Sequence, residues 1–318
     1  MDSSALAEFD HRLLEALQHD GRAPFSRLAR RFDVSERTLA RRYQRLRGLG
    51  LRIVGHPNPV RLGLVRWLLR LHCTPDAAST IAEALARRPD TSWVTLASGG
   101  TEITCAVNTR SADERNALLL QKLPRTPKVL SVSAHCMLRI FMGTTSTWHA
   151  TRFRTPESAA VDSGTPDAPP LSLDATDRAL FAELARDGRA TLPELGKATG
   201  RSPSSVQRHL ERLRAEGALS FGVDFDPQLL GYHMTTQLWL KVSPAHLRTV
   251  GESLAAHRST AFAAAVTGTS NLVASGVFRT PVELYDYIDR SIGPLPGIQS
   301  IETSPTLREV KRLAPALP

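Results

Sequence analysis

The chain has 318 residues, 42% of them hydrophobic, and a formal charge of +9. That length exceeds one typical core, so two to four domains are expected. No apolar run reaches the ~18 residues a membrane helix needs. The start, MDSSALAEFD, lacks the basic-then-apolar order of a signal peptide, so a cytoplasmic protein without a membrane span is expected.

The charge is uneven. Residues 1–160 carry 24 Lys and Arg against 14 Asp and Glu, while residues 161–318 carry 16 against 17. A basic first half points to a polyanionic partner. Cys73, Cys105 and Cys136 are odd in number and widely spaced, the pattern of reduced thiols rather than of a disulfide framework or a zinc site.

In chain order, Asp10 is read as the N-cap of a first helix with Leu13, Leu14 and Leu17 facing inward. Asp20-Gly21-Arg22 ends it in a turn. Ser26 to Phe32 is a short second helix, and Asp33-Val34 makes the bend. Ser35 caps a third helix reaching to about Leu49. Its apolar side is Leu39, Tyr43 and Leu46. Leu51 to Val54 starts a wing. This is the outline of a helix-turn-helix, whose last helix enters a DNA major groove. Between Arg22 and Arg52 stand ten arginines and two acidic residues. The groove-facing set is read as Arg37, Thr38, Arg41, Arg42 and Arg45, since arginine pairs with phosphates and with guanine edges. A three-helix core this small needs support from its neighbour.

Then come a strand over 61–71, a helix over Pro75–Arg87, strands at Ser92–Ala97 and Glu102–Val107 split by Ser98-Gly99-Gly100, a helix over Asp113–Leu123, and strands at Val129–Val132 and Leu138–Met142. That β-α-β-β-α-β order is ferredoxin-like. One face of such a sheet lacks helices, so self-association is expected. Thr155 to Pro170, TPESAAVDSGTPDAPP, reads as a connector.

After it the plan repeats. Residues 177–217 match 10–50 without gaps at 14 of 41 positions, among them Asp187-Gly188-Arg189-Ala190 against Asp20-Gly21-Arg22-Ala23. Asp177 is read as a cap, Leu192–Ala198 as the second helix, and Ser202 with Pro203 as the start of the third. Its groove-facing set is Ser204, Ser205, Arg208, His209 and Arg212. Strands over Met234–Val242, Ala261–Val266, Asn271–Val277 and Ile298–Glu302 follow, with helices over Pro244–Ala256 and from Thr280 or Pro281 to Ser291. The fold class is α+β, with two winged helix-turn-helix domains (1–56 and 173–223), two ferredoxin-like domains (57–150 and 224–318) and a linker at 151–172.

The second copy resembles the Lrp/AsnC, or feast/famine, regulators through Asp177, Leu180, Leu184, Asp187-Gly188-Arg189, Leu195, Ser202, Val206, Arg208, Leu213 and Gly217, continued by Asp226-Pro227 and Gly231-Tyr232. The first copy carries Asp10, Leu13, Leu17, Asp20-Gly21-Arg22, Leu28-Ala29, Ser35, Arg41, Leu46 and Gly50, then Asn58-Pro59 and Gly63. The resemblance covers nearly the whole chain apart from the linker. It implies a DNA-binding, nucleoid-associated regulator of double-stranded DNA, with no metal or cofactor, that forms dimers or higher oligomers through its sheet domains. It also implies a small effector such as an amino acid, bound near the turn between the second and third sheet strands. Here those turns hold Ser98, Gly99, Gly100 and Glu102, and Thr267, Gly268, Thr269, Ser270 and Asn271. The two halves of one chain are expected to pair as a pseudo-dimer over an imperfectly palindromic site, with pairing between chains as the alternative. The same architecture serves siroheme decarboxylases, which place His, Tyr and Arg along a pocket-facing strand. The matching stretches here, SWVTLAS and AFAAAVT, hold none of these, so an enzyme is not expected. A DNA-binding or architectural protein without an effector is the other rival.

Overall fold

The computed structural model describes residues 6, 8–143 and 169–312. Most of the connector, residues 155–168, lies outside them. Three helices come first, α1 (Glu8–His19), α2 (Phe25–Phe32) and α3 (Glu36–Gly48), followed by the wing strand β1 (Arg52–Pro57). The second copy repeats them as α6 (Ala175–Arg186), α7 (Leu192–Thr199), α8 (Pro203–Ala215) and β6 (Leu219–Asp224). The α3 and α8 starts are capped as expected. Ser35 and Ser202 accept the backbone N–H of Thr38 and Ser205. The aspartates are not caps. Asp10 lies inside α1, which begins at Glu8, and Asp177 is the third residue of a capping box whose cap is Asp174. Both Asp10 and Asp177 are instead buried, at 0% and 1% exposure, for a reason that emerges at α3 and α8.

Neither module completes its own core. β1 and β6 pair antiparallel, from Arg52 opposite Asp224 to Pro57 opposite Leu219. Val223 and Phe225 enter the core of the first module beside Leu13, Leu17 and Leu39. Phe221 and Leu62 pack against the core of the second. Gly188 sits where β1 crosses; a Cβ there would lie 3.0 Å from the Ile53 carbonyl carbon and oxygen, and the Gly188 N–H donates to that oxygen at 2.7 Å. The support that a three-helix core needs therefore comes from the other copy.

The sheet domains pair in the same way. The first holds β2 (Val65–Cys73), α4 (Pro75–Ala86), β3 (Thr91–Ala97), β4 (Glu102–Thr109), α5 (Ala112–Asn116) and β5 (Val129–Met142). The second holds β7 (Met234–Val242), α9 (Leu247–Ala256), β8 (Thr260–Val266), β9 (Leu272–Phe278), α10 (Pro281–Tyr287) and β10 (Ile298–Lys311). The two sheets close into one barrel of order β10-β3-β4-β2-β5-β8-β9-β7. The helices cover its outside, and the two faces without helices meet inside it.

The last strands differ from expectation. Val129–Val132 and Leu138–Met142 are one strand of 14 residues, and the strand from Ile298 runs on to Lys311. Their first parts pair within their own half and their last parts pair across. Trp67 faces Cys136 on β2 while Met137 faces Val266 on β8; Thr236 faces Pro305 on β7 while Thr306 faces Ala97 on β3. The crossing segment 306–311 shows no apolar alternation of its own, because the pairing that holds it is supplied by the other half.

His56 in β1 is 2% exposed, and neither ring nitrogen has a hydrogen-bond partner. Burial, with the Arg66 charge adding, pushes its pKa down to about 3. The folded chain thus refuses a proton that the unfolded chain accepts below its ordinary pKa. Stability is therefore lost as pH falls through that window, at up to ~1.4 kcal/mol per pH unit. Denaturant titrations from about pH 6 to about pH 4 are expected to show a shallower decline for His56→Leu than for the natural chain.

Candidate nucleic-acid interface

The third helix of each module presents two kinds of residue. Arg37, Arg41 and Arg208 are exposed, as is Ser204, and among the described residues none of the three arginines has an ion-pair or hydrogen-bond partner. Thr38 and Ser205 are half-buried beside the caps; the Thr38 hydroxyl lies 2.9 Å from the Ser35 hydroxyl.

The other expected contacts also bond to buried carboxylates of the first helix. Arg42 and Arg45 reach Oδ2 of Asp10 at 3.5 and 3.4 Å. Arg212 takes both oxygens of Asp177 at 2.8 and 2.9 Å, and His209 Nδ1 lies 3.3 Å from Oδ1. Burial works against the Arg212 charge, but its bonds to Asp177 prevail and raise its pKa. A buried carboxylate cannot be left without a countercharge, so these side chains tie the third helix to the first. That explains two buried aspartates in apolar helices. It also gives Arg42, Arg45, His209 and Arg212 the task of holding the reading helix in place, with their outer atoms still near solvent.

The surrounding surface differs between copies. Around α3 stand exposed Arg27, Arg30 and Arg31 of α2; the matching residues of α7 are Glu194, Lys197 and Ala198. Gln44 of α3 is matched by Glu211 in α8.

The repeated Asp-Gly-Arg-Ala turns join the modules. Arg22 donates to the carbonyls of Gly188 and Ala190 at 2.7 and 2.9 Å, and Arg189 donates to those of Gly21 and Ala23 at 2.7 and 2.9 Å. In each turn the aspartate accepts the arginine's own backbone N–H. Arg189 lies 4.5 Å over the Phe25 ring. Arg47 pairs with Asp187 at 3.2 Å and Arg214 with Asp20 at 3.9 Å. The arginine–carbonyl bonds and the arginine–aspartate pairs exchange with one another when the copies are swapped, so a pseudo-twofold axis runs between the turns. The Arg189–Phe25 contact has no match, since Leu192 stands where the first copy has Phe25. In sequence the repeat reads as a turn only; its letter-for-letter identity outside a core is the available sign of a reciprocal contact.

The expected effector turns are committed to internal bonds. Glu102 is 0% exposed and is held by Arg70 at 3.0 Å, Ser98 at 2.9 Å and Ser304 at 3.2 Å. Arg70 also pairs with Glu302 and lies 4.7 Å over the Trp239 ring. In the second copy Asn271 takes both backbone groups of Val242, at 2.9 and 2.8 Å. His135 Nδ1 lies 2.7 Å from the Thr267 carbonyl oxygen, and Thr267 Oγ1 accepts the Cys136 N–H at 2.9 Å. A Cβ on Gly268 would meet the His135 ring at 2.6 Å, while Gly99 and Gly100 turn through left-handed φ values of 71° and 84°. Thr269 and Ser270 complete the second turn.

Family comparison agrees with this geometry. An AsnC-type helix-turn-helix domain matches residues 6–47 and again 173–214, and an Lrp/AsnC ligand binding domain matches 235–315. An uncharacterised HTH-type transcriptional regulator of Pyrococcus abyssi is 30% identical over 143 residues, which are 45% of this chain and 90% of that protein. The chain belongs to the Lrp/AsnC family. The HTH-type transcriptional regulator FL11 of Pyrococcus abyssi is 29% identical over 142 residues, 44% of this chain and 93% of its own. These relatives span one copy, so this family member carries two in tandem. Over its whole length the fold is similar to the siroheme decarboxylase NirDL, with a TM-score of 0.63 at 17% identity, covering 96% of this chain and 93% of that one. At that identity the likeness is one of fold alone. Family membership places the chain among DNA-binding regulators rather than enzymes. Among the described residues no helix is long and apolar enough to cross a membrane, and no cluster of His, Cys, Asp and Glu could hold a metal ion.

Proposed function

We propose that one chain is a complete DNA-reading unit, an internal pseudo-dimer that binds an operator of two unequal half-sites and responds to a small effector. The reciprocal Arg22 and Arg189 bonds are the observation that carries this reading. They set the two reading helices about one axis, as the two-fold of a dimeric helix-turn-helix protein does for successive major grooves about 34 Å apart. Arg37 and Arg41 read the strong half-site. Arg208, with Ser204 and Ser205, reads the weak one. The arginines of α2 add phosphate contacts on the strong side only, where α7 offers Glu194. Exposed apolar side chains such as Leu120, Leu130 and Tyr285 fit assembly of such units into higher oligomers.

The test is a selected operator with each half-site scrambled in turn. Scrambling the half under α3 is expected to cost at least ~10-fold more affinity than scrambling the half under α8, given ~1–3 kcal/mol per lost bidentate base contact. Equal losses, with a symmetric selected sequence, would reject the unequal reading. Absence of any specific site would reject the DNA-reading role itself.

A further inference from the structure

Besides the two expected effector turns, the inside of the barrel offers open space. A cavity of about 120 Å³ lies there, walled by both halves. Water-sized groups need between roughly 10–15 and 30 Å³ each, so it has room for about four to ten non-hydrogen atoms. A tetrapyrrole, with four linked rings, exceeds that space.

Three features of the wall define what fits. Its aromatic surfaces are Trp93 and Phe262, at matching places in β3 and β8, and Phe225. Its charges balance, Arg66 and Arg312 against Asp224 and Glu309, and Arg312 binds Glu309 and lies 3.7 Å from Asp224. A charged ligand would upset that balance in a low-dielectric site. Gln237 and Ser275 supply neutral hydrogen-bonding groups, and among the described residues neither side chain has a partner. An amide carries a donor and an acceptor side by side, the pattern that matches a ring edge bearing an acceptor next to a donor.

We infer that this cavity is a ligand site, one per chain, for an uncharged planar heteroaromatic molecule of up to about ten non-hydrogen atoms with adjacent donor and acceptor. The ring stacks on Trp93 and its polar edge meets Gln237 and Ser275.

The same wall links the site to the reading helices. Val223, Asp224 and Phe225 close the cavity from the root of β6, the strand that pairs with β1 and fills the first module's core. Arg312 lies 3.7 Å from both Asp224 and Asp226, and its carbonyl accepts the N–H of Trp93, whose φ is 51°. A ring against Trp93 therefore bears on the clamp that fixes the wings to the barrel. Among the described residues the first half shows no equivalent clamp, since Gly143 follows β5 where Arg312 follows β10. This coupling, unlike the site itself, rests on the DNA-reading role.

The experiment titrates the full chain, without DNA, with adenine, nicotinamide and benzoate, using calorimetry and tryptophan emission. Saturable binding of adenine or nicotinamide is expected, with benzoate at least ~10-fold weaker, the cost of about 1.4 kcal/mol. Gln237→Leu is expected to weaken binding ~5-fold or more, the worth of about one hydrogen bond. Trp93→Phe is expected to abolish the emission change while calorimetry still detects binding. No saturable heat with any of the three, or equal binding by natural chain and Gln237→Leu, overturns the site. A duplex-binding assay with the same preparation separates that failure from failure of the DNA role.

Discussion

Arg37→Ala combined with Arg41→Ala is expected to remove specific duplex binding while leaving the fold intact. Both side chains are exposed on the outer face of α3, and neither holds another residue in place, so truncation costs no core contact. The loss falls on DNA alone. At ~1–3 kcal/mol for each arginine that reaches a base edge, the pair amounts to roughly 30- to 20,000-fold in affinity. If the two meet phosphates instead, affinity falls for all sequences alike and the log–log salt slope drops by about 0.9 per lost contact. Fluorescence anisotropy against salt, with operator and random duplexes, distinguishes the two. The matching Arg208→Ala is expected to lose less, because it stands alone on its helix. Wild-type affinity in the double variant would place the DNA contact elsewhere on the chain.

Helix α3 shows what the sequence carried and what it did not. Helical period, caps and the 167-residue repeat located all six helices of the two modules, because each is a local signal: Leu39, Tyr43 and Leu46 fall on one face whatever lies beyond. The period also puts Arg37, Arg41 and Arg45 on one outward sector. It cannot show that Asp10, 35 residues earlier, is buried beneath Arg45. The same limit explains the strands. Residues 306–311 pair with the other half, and TLREVK carries no apolar alternation, so nothing within that window marks it as a strand. Leu138–Met142 is apolar enough to read as one, although its partner is also the other half. Likewise Glu102 and Asn271 were legible as turn residues, but their bonds to Arg70 and Val242 depend on neighbours distant in the chain. The walls of the barrel cavity escaped for a similar reason. Reading SWVTLAS and AFAAAVT alone misses Arg66 and Arg312, which enter from β2 and from the end of β10.

The largest effect on architecture is expected at the reciprocal turns. Arg22 and Arg189 are half-buried, and burial lowers the pKa of both. Each holds two carbonyls of the other copy, so Arg22→Ala with Arg189→Ala leaves four carbonyls to find water in a packed contact. Charge-assisted bonds of this kind contribute ~1.5–3 kcal/mol each before compensation by solvent. A net loss of about 3 kcal/mol in the coupling between modules is therefore reasonable, since the sites exchange partners and do not add independently. The barrel and both three-helix cores retain their own contacts, so the chain is expected to fold. What loosens is the joint between the modules, which β1 and β6 still hold: calorimetric unfolding, expected as one transition over the natural chain, splits into an earlier module step and a later barrel step. On DNA the variant is expected to protect the strong half-site alone, since the weak module is no longer held in register with it. Substituting lysine at both positions retains the charge but not the fork that spans two carbonyls, so it should rescue little. Footprints that keep both half-sites in the alanine pair would show that the barrel, and not the turns, sets the spacing of the two reading helices.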